Sequence, residues 1–211
     1  MRNLRPALRR AEQKGDMNNT EYKKTKQKTK RRSILVSASA IVLVLLLLLA
    51  GLWRISGYKR FFRDSVEKWS RYYSVDEYLI YGMIYAESGG REQAQSSAGA
   101  VGLMQLMPQT AKWLAWREGI EYSEEMLLQG DYSIRLGCAY AAFLFERYDN
   151  YDCVIAAYNA GHGAVDRWLK DPEFSRDGKT LYRVPYAETE KHIVRVNRAR
   201  SIYFALYPPA G

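Results

Sequence analysis

One glutamate in this chain stands where the surrounding pattern favours an apolar side chain. In the stretch AESGGREQAQSSAGAVGLMQLMPQTA, residues 86–111, Glu87 follows Ile80 and Ile84 at helical spacing and so continues their apolar face. Burial and the negative end of a helix both disfavour a carboxylate, and Arg91 lies beyond the Gly-Gly turn. We therefore predict a raised pKa for Glu87 and a role as general acid near neutral pH. The alternative is a frayed helix end that leaves Glu87 an ordinary solvated charge.

The elements that must position Glu87 are predicted to be helices, so the folded part should be all-α. Residues 54–69 are interpreted as a short spacer that runs into the first helix. Helical spacing of apolar residues then marks residues 74–87, 108–116, 131–148, 151–160 and 186–207. No stretch alternates convincingly as a strand does, although we consider a small hairpin for residues 173–184.

Local signals predict where these helices begin and end. Ser74 and Glu77 have the spacing of a capping box at the start of the helix that carries Glu87. Pro108 stands where proline favours the first turn of a helix. Gly161 is expected to stop one helix, and the closing helix should end before Pro208.

The positive charge of the chain is confined to its first residues. The net charge is +9, and twelve of the 32 basic residues but only three of the 23 acidic ones lie in residues 1–32. The remainder therefore holds twenty of each and is neutral. A nucleic-acid-binding protein would carry its basic patch on the folded domain, so this class is excluded. The polar tail of residues 1–32 is predicted to be disordered.

Residues 33–53 form an uncharged apolar run of 21 residues. At about 1.5 Å per residue a helix of this length spans the roughly 30 Å core of a bilayer. The basic residues before it predict a single-pass protein of the cell membrane, with the N-terminus cytoplasmic and residues 54–211 extracytoplasmic. A cleaved signal peptide is the alternative, but it fits poorly with the long basic region and the missing small-residue cleavage site.

Cys138 and Cys153 are the only two cysteines. An oxidising compartment would permit a disulfide between them. In a helical hairpin that turns near Asn150, however, Cys153 should face about position 146, more than two turns from Cys138. We therefore predict two separate buried thiols.

Three motifs, in order, resemble a known family: ESGGREQAQSSAGAVGLMQLMPQTA, AAYNAGHGAVDRW and VPYAETEKHIVRV. They are similar to the catalytic domain of lytic transglycosylases of the soluble type, which are relatives of goose-type lysozyme. The resemblance covers roughly residues 58–207 and implies a lysozyme-like all-α fold. It also implies non-hydrolytic cleavage of the β-1,4 bond between N-acetylmuramic acid and N-acetylglucosamine in peptidoglycan. Glu87 matches the family's glutamate, which acts first as acid and then as base on the muramyl C6 hydroxyl, giving a 1,6-anhydro end.

The resemblance further implies a set of substrate-binding residues. They are Ser96, Gly102, Met104, Gln105, Met107, Tyr158, Asn159 and Glu188. Tyr158 is expected to hold its hydroxyl near Glu87. Structural roles remain open for several of them: a turn hydroxyl for Ser96, core filling for the two methionines, a helix stop for Asn159 and a solvated charge for Glu188.

A few positions depart from the family pattern. Gly90 and Glu92 stand where relatives carry an aromatic residue and a proline, Ser133 where asparagine is common, and His192 where tyrosine is usual. These departures concern subsite details and leave the reaction class unchanged. With His162 and His192 as the only histidines, no metal site is expected, and no cofactor motif is found.

Three functions are compatible with these observations. The first is a membrane-anchored lytic transglycosylase whose partner is the glycan strand of peptidoglycan. The second is a lysozyme-like hydrolase, which would need a second carboxylate to activate water, and we identify none. The third is a non-catalytic scaffold that binds peptidoglycan, which the presence of Glu87 disfavours. The basic tail either binds anionic lipid or only sets topology, and no cytoplasmic partner is identified.

Overall fold

The computed structural model describes residues 41–47, 49, 51 and 56–209. The chain divides into two units, Met1–Gly57 and Tyr58–Gly211. In the first unit the described residues 41–47, 49 and 51 are helical. Among the described residues no helix has the length and apolar character needed to cross a membrane. The predicted tail, 1–32, and the greater part of the predicted span, 33–53, lie outside the described residues.

The second unit is all-α, as predicted. Its elements are α1 (Arg63–Tyr73), α2 (Glu77–Glu87), α3 (Pro108–Arg117), a 3-10 helix (Glu125–Leu128), α4 (Gly130–Arg147), α5 (Tyr151–Ala160), α6 (His162–Lys170) and α7 (Ala187–Leu206). The five predicted helices correspond to α2, α3, α4, α5 and α7. The sequence predicted neither α1 nor α6. Residues 54–69 were interpreted as a spacer, but α1 begins at Arg63 and buries Val66 and Trp69. Helix α6 begins directly after the glycine that ends α5.

Three of the predicted helix boundaries are confirmed, and one is wrong. Helix α7 ends at Leu206, before Pro208. Pro108 begins α3, and Gly161 ends α5 with φ 85°.

Ser74, by contrast, closes α1 in the left-handed conformation, so the predicted capping box does not form. The N-cap of α2 is Asp76, whose carboxylate accepts from the amide of Tyr78 at 2.9 Å. Because Ser74 ends α1, Asp76 caps α2 instead, and its second oxygen also accepts from Arg200 of α7.

The hairpin considered for residues 173–184 is also wrong. This segment is a loop, and within residues 56–209 no strand forms. The carboxylate of Asp177 accepts hydrogen bonds from the amides of Lys179 and Thr180 at 2.8 and 2.7 Å. Because a side chain satisfies these backbone donors, they are not available to a partner strand.

Helix α2 is largely buried and packs most extensively against α7. All residues from Leu79 to Ile84 are buried, so α2 is a core helix and not the one-sided helix that its spacing suggested. Gly82 permits the close approach, because a Cβ there would lie 2.8 Å from the carbonyl oxygen of Val196 in α7. Residues of α7 are therefore held against the end of α2 that carries Glu87.

Aromatic residues tie the two ends of the domain together. The hydroxyl of Tyr203 donates to the carbonyl oxygen of Lys59 at 3.1 Å, and that of Tyr207 donates to Tyr58 at 3.0 Å. The ring of Tyr58 also stacks on Tyr85 of α2, with centroids 4.4 Å apart. The first residues of the domain are thus fixed to both α2 and α7.

The two cysteines are separate thiols, as predicted. Cys138 in α4 and Cys153 in α5 are both buried and unbridged. Burial raises the pKa of Cys138 to about 12. A thiol of this kind behaves as a small apolar side chain and is poorly reactive.

Candidate active site

A cleft of about 510 Å³ opens beside the C-terminal end of α2. This volume lies in the range of small-molecule binding sites in proteins. The residues that line it come from α2, the loop that follows, α3, α4, the end of α5 and the start of α7. They are Glu87, Ser96, Ser97, Ala98, Ala100, Gln105, Leu106, Met107, Thr110, Tyr140, Tyr158, Asn159, Ala160, Gly161 and Glu188.

Glu87 is the last residue of α2 and lines this cleft. Its side chain is only 14% exposed. Burial raises the pKa of Glu87 to about 8, against a smaller opposing effect of the positive charge of Arg195. The carboxyl group is therefore protonated at neutral pH and can donate a proton to a group in the cleft. This is the environment that the sequence predicted for Glu87.

Helix α7 supplies two neighbours of Glu87 that the sequence did not predict. Nε2 of His192 lies 3.2 Å from Oε1 of Glu87, and His192 is 6% exposed. Arg195 donates from Nη1 to the carbonyl oxygen of Ala86 at 3.3 Å. Both residues lie more than a hundred positions after Glu87 in the chain, so the local sequence around Glu87 does not indicate them.

Ser96 lines the cleft within a tight turn. Its hydroxyl oxygen accepts from the amide of Ala100 at 2.9 Å, and its carbonyl oxygen accepts from Gly99 at 3.0 Å. Ser96 therefore has the structural role of a turn hydroxyl, one of the two roles left open by the sequence. A hydroxyl that accepts with its oxygen still has a hydrogen to donate, so the same residue can also contact a ligand.

Gln105 presents one end of its amide to the loop and leaves the other for a ligand. It has a left-handed backbone, with φ 47°, and lines the cleft. Its Nε2 donates to the carbonyl oxygens of Ala94 and Gly102 at 3.0 and 2.8 Å. With the nitrogen occupied, the side-chain oxygen is the group that can accept from a sugar hydroxyl or an N-acetyl amide.

Gly102 and Met104 do not line the cleft. Both are buried beneath it, and a Cβ on Gly102 would lie 2.0 Å from the carbonyl oxygen of Leu127. Met104 is 0% exposed and packs on Gly137, where a Cβ would meet the methionine side chain at 2.5 Å. The two residues support the loop from behind, because Gly102 fits a position too close to other backbone for any side chain.

Tyr158 and Asn159 stand at the end of α5 on the cleft wall. The hydroxyl of Tyr158 donates to the carbonyl oxygen of Met104 at 2.9 Å and so fastens the loop to α5. Burial and the nearby charge of Glu87 raise the pKa of Tyr158 well above its usual value. Asn159 accepts from the hydroxyl of Thr189 at 2.7 Å, which links α5 to α7.

Met107 and Glu188 are the remaining predicted residues that line the cleft, and both are exposed. Glu188 is the one other carboxylate among the described residues that line it. Thr110 and Tyr140 also line the cleft, and the sequence predicted neither. Nothing in their local pattern distinguishes them from other helical residues, since α3 and α4 present several polar and aromatic side chains.

The departures from the family pattern have local structural roles. Gly90 leaves room for the ring of Phe61, which a Cβ would approach to 2.6 Å. Glu92 accepts a hydrogen bond from the amide of Gly130, the first residue of α4. The hydroxyl of Ser133 accepts from the amide of Met104 at 3.1 Å. Glu92 and Ser133 thus both fasten the loop beside Glu87 to α4.

Comparison with known proteins identifies the same region. A family model described as "Transglycosylase SLT domain" matches residues 64–180. Membrane-bound lytic murein transglycosylase C of Glaesserella parasuis is 28% identical over 161 residues, which cover 65% of this chain and 44% of that protein. A putative soluble lytic murein transglycosylase of Haemophilus influenzae is 38% identical over 114 residues, which cover 52% of this chain and 19% of that protein.

The fold has a counterpart among solved structures. The X-ray structure of an inactive Glu-to-Gln mutant of lytic transglycosylase Slt from Pseudomonas aeruginosa has a TM-score of 0.64 at 30% identity. The match covers 72% of this chain and 25% of that one. The chain spans less than half the length of each of these relatives.

Proposed function

The chain belongs to the transglycosylase SLT domain family, and on that premise we propose that it is a lytic murein transglycosylase. Its substrate is the glycan strand of peptidoglycan, cut at the β-1,4 bond between N-acetylmuramic acid and N-acetylglucosamine. One observation carries the proposal: Glu87, largely buried and with its pKa raised by burial, lines a cleft of about 510 Å³ within the segment that matches the family.

The reaction needs one carboxyl group in two protonation states. Protonated Glu87 donates its proton to the glycosidic oxygen as the bond from that oxygen to C1 breaks. The carboxylate that remains takes a proton from the C6 hydroxyl, whose oxygen then bonds to C1 and closes the 1,6-anhydro ring. No water is consumed, and Glu87 is protonated again at the end.

The nucleophile in this proposal is the substrate's own hydroxyl. A retaining or inverting hydrolase uses a second carboxylate at a defined distance from the acid. Glu188 is the one other carboxylate of the described cleft residues, and it is exposed. We assign it to substrate binding. In the Pseudomonas relative, replacement of one glutamate by glutamine accompanies an inactive enzyme, which supports an essential role for a glutamate.

We assign glycan binding to the other polar and flexible residues of the cleft. They are Ser96, Gln105, Met107, Tyr158 and Asn159, together with Glu188. Gly102 and Met104 act indirectly, since they hold the backbone that carries Gln105 and Met107.

We further propose that residues 33–53 anchor the enzyme in the cell membrane with the catalytic domain outside. The support is the uncharged run of 21 residues behind a basic tail, together with a relative that is named membrane-bound. Carbonate extraction of membranes tests this directly. An anchored chain stays with the pellet and is released by detergent, whereas a chain cleaved after a signal peptide appears in the supernatant at lower mass.

The reaction is tested by digesting purified peptidoglycan with the detergent-solubilised full chain and with its Glu87→Gln variant. We expect products one water lighter than hydrolytic ones, and we expect the variant to lose them. Glu188→Gln is the matched control, because it removes a carboxylate from the same cleft and should keep the product type. Reducing-end products would identify a lysozyme-type hydrolase. Wall binding without any product would support the scaffold function.

A further inference from the structure

The contact between His192 and Glu87 is not explained by the family match, which ends at residue 180, before α7 begins. His192 lies against the proposed acid with Nε2 at 3.2 Å from Oε1. Nε2 is buried and makes no hydrogen bond of good geometry within residues 56–209. A buried ring nitrogen that faces one carboxyl oxygen and has no other partner points to a function at that carboxyl.

We propose that His192 is a positioning residue that donates from Nε2–H to Oε1 of Glu87 and so leaves the other oxygen, Oε2, to exchange a proton with the glycan. The inference rests on the proposed function and adds a residue to it. At 3.2 Å the two atoms are within hydrogen-bond distance, and the proposed bond requires the N–H to be aligned with Oε1.

The contact is between two neutral groups at neutral pH. Burial lowers the pKa of His192 to about 4 and raises that of Glu87 to about 8, so the proton resides on the carboxyl. The other titratable groups that act on this pair or line its cleft are Arg195, Glu188, Tyr158 and Tyr140. The positive charge of Arg195 disfavours a second positive charge on His192, and burial keeps the two tyrosines neutral.

A neutral imidazole that donates from Nε2 suits both halves of the reaction. In the acid form it binds the carbonyl oxygen of the carboxyl group and thereby directs the acidic hydrogen to Oε2. After proton transfer the same N–H stabilises the buried carboxylate until that group takes the proton from the C6 hydroxyl. Because the bond is stronger to the carboxylate, its loss should raise the pKa of Glu87.

The tautomer can be tested without any activity measurement. The chain holds two histidines, so the His162→Gln variant leaves a single imidazole in a ¹⁵N spectrum of the full chain in detergent. His162 is exposed and lies outside the cleft lining, and its ring makes an edge contact with Phe143. We expect His192 to be protonated at Nε2 and not at Nδ1 at neutral pH. Its shifts should change as Glu87 ionises near pH 8, and Glu87→Gln should abolish that change. A proton at Nδ1, or no response to Glu87, would overturn the proposal.

Two substitutions separate positioning from packing. His192→Gln keeps an N–H donor at a similar reach, whereas His192→Leu fills the space without one. We expect kcat to fall about 10- to 100-fold in the leucine variant with little change in KM, and the alkaline limb of the pH profile to move upward. The glutamine variant should recover most of the rate. Equal losses in both variants, with parallel losses of thermal stability, would mean that His192 only fills the core.

The failure of the proposed function and the failure of the positioning role can be told apart. If the wild-type chain yields no anhydro product, the proposed function fails, and the ¹⁵N spectrum still decides whether His192 and Glu87 are coupled. If the product forms but Nδ1 carries the proton, the function stands and the positioning role is lost.

Discussion

Arg195 donates a hydrogen bond to the carbonyl oxygen of Ala86, the residue before Glu87, at 3.3 Å. A cation of α7 thereby occupies the C-terminal end of α2, where exposed carbonyls favour positive charge. The same charge lowers the pKa of Glu87 and partly offsets the rise caused by burial. Arg195 thus limits how far the acid is shifted, so the carboxylate form remains accessible for the second half of the proposed reaction.

Replacing Arg195 with glutamine should therefore raise the pKa of Glu87. Without the positive charge the carboxylate is less favoured, and we expect the alkaline limb of the activity profile to move up by about half a pH unit. Arg198→Gln, an exposed arginine of the same helix, is the control. A shift of equal size in both variants would assign the effect to the net charge of the domain and not to the contact with Ala86.

The Glu87→Gln variant should be more stable than the wild type at alkaline pH. The pKa of Glu87 is raised from 4.5 to about 8, so the unfolded chain loses this proton before the folded chain does. The stability of the wild type relative to the variant is therefore greatest below pH 4.5 and falls as pH rises toward 8, by about 3–5 kcal/mol in all. Urea titrations at pH 4.5, 6 and 8 measure the difference. A difference between wild type and variant that stays the same at all three pH values would contradict this prediction.

Gly102→Ala should unfold the loop beneath the cleft. Its φ of 81° disfavours a side chain, and the added Cβ would lie 2.0 Å from the carbonyl oxygen of Leu127. We expect a loss of at least about 3 kcal/mol. Gly99→Ala is the matched control, with φ 88° but open space around the Cβ, and should lose only about 1 kcal/mol from backbone strain. Thermal melts compare the two variants. Similar losses of stability would show that the close approach to Leu127 adds no cost beyond backbone strain.

Asp76→Ala should destabilise the domain by about 2–3 kcal/mol. One oxygen of Asp76 caps α2, and the other accepts from Nε of Arg200 at 2.6 Å. The substitution therefore removes two separate interactions. The exposed pair Arg63 and Glu67 provides the comparison, and Glu67→Gln should change the melting temperature very little. A small effect at Asp76 would contradict its role as the N-cap.

The sequence predicted the environment of Glu87 because that environment depends on local features. The residue continues an apolar pattern and stands at a helix end, and the structure confirms both. His192 and Arg195 could not be found in the same way. Their contacts with α2 depend on how α7 packs, and the close approach at Gly82 is set by backbone that lies far away in the chain.

The loop residues show a second limit on what can be predicted from the sequence. Gly102 and Met104 were expected in the cleft together with Gln105 and Met107, but the first two are buried and the last two line the cleft. A loop has no fixed period, so spacing cannot tell which side chains are exposed. The prediction of Ser74 as an N-cap was wrong because Ser74 ends α1, and the sequence does not show where that helix ends.

The aromatic ties between Tyr58, Lys59 and the end of α7 have a mechanical consequence. A force applied at residue 58 acts directly on its stacking contact with Tyr85 of α2. It also acts on the hydrogen bonds made by Tyr203 and Tyr207 at the end of α7. The load then acts in shear across the domain and does not peel α1 away first. We expect a domain pulled from residue 58 to rupture in one event in a force-extension record, and an early release of α1 alone would contradict this.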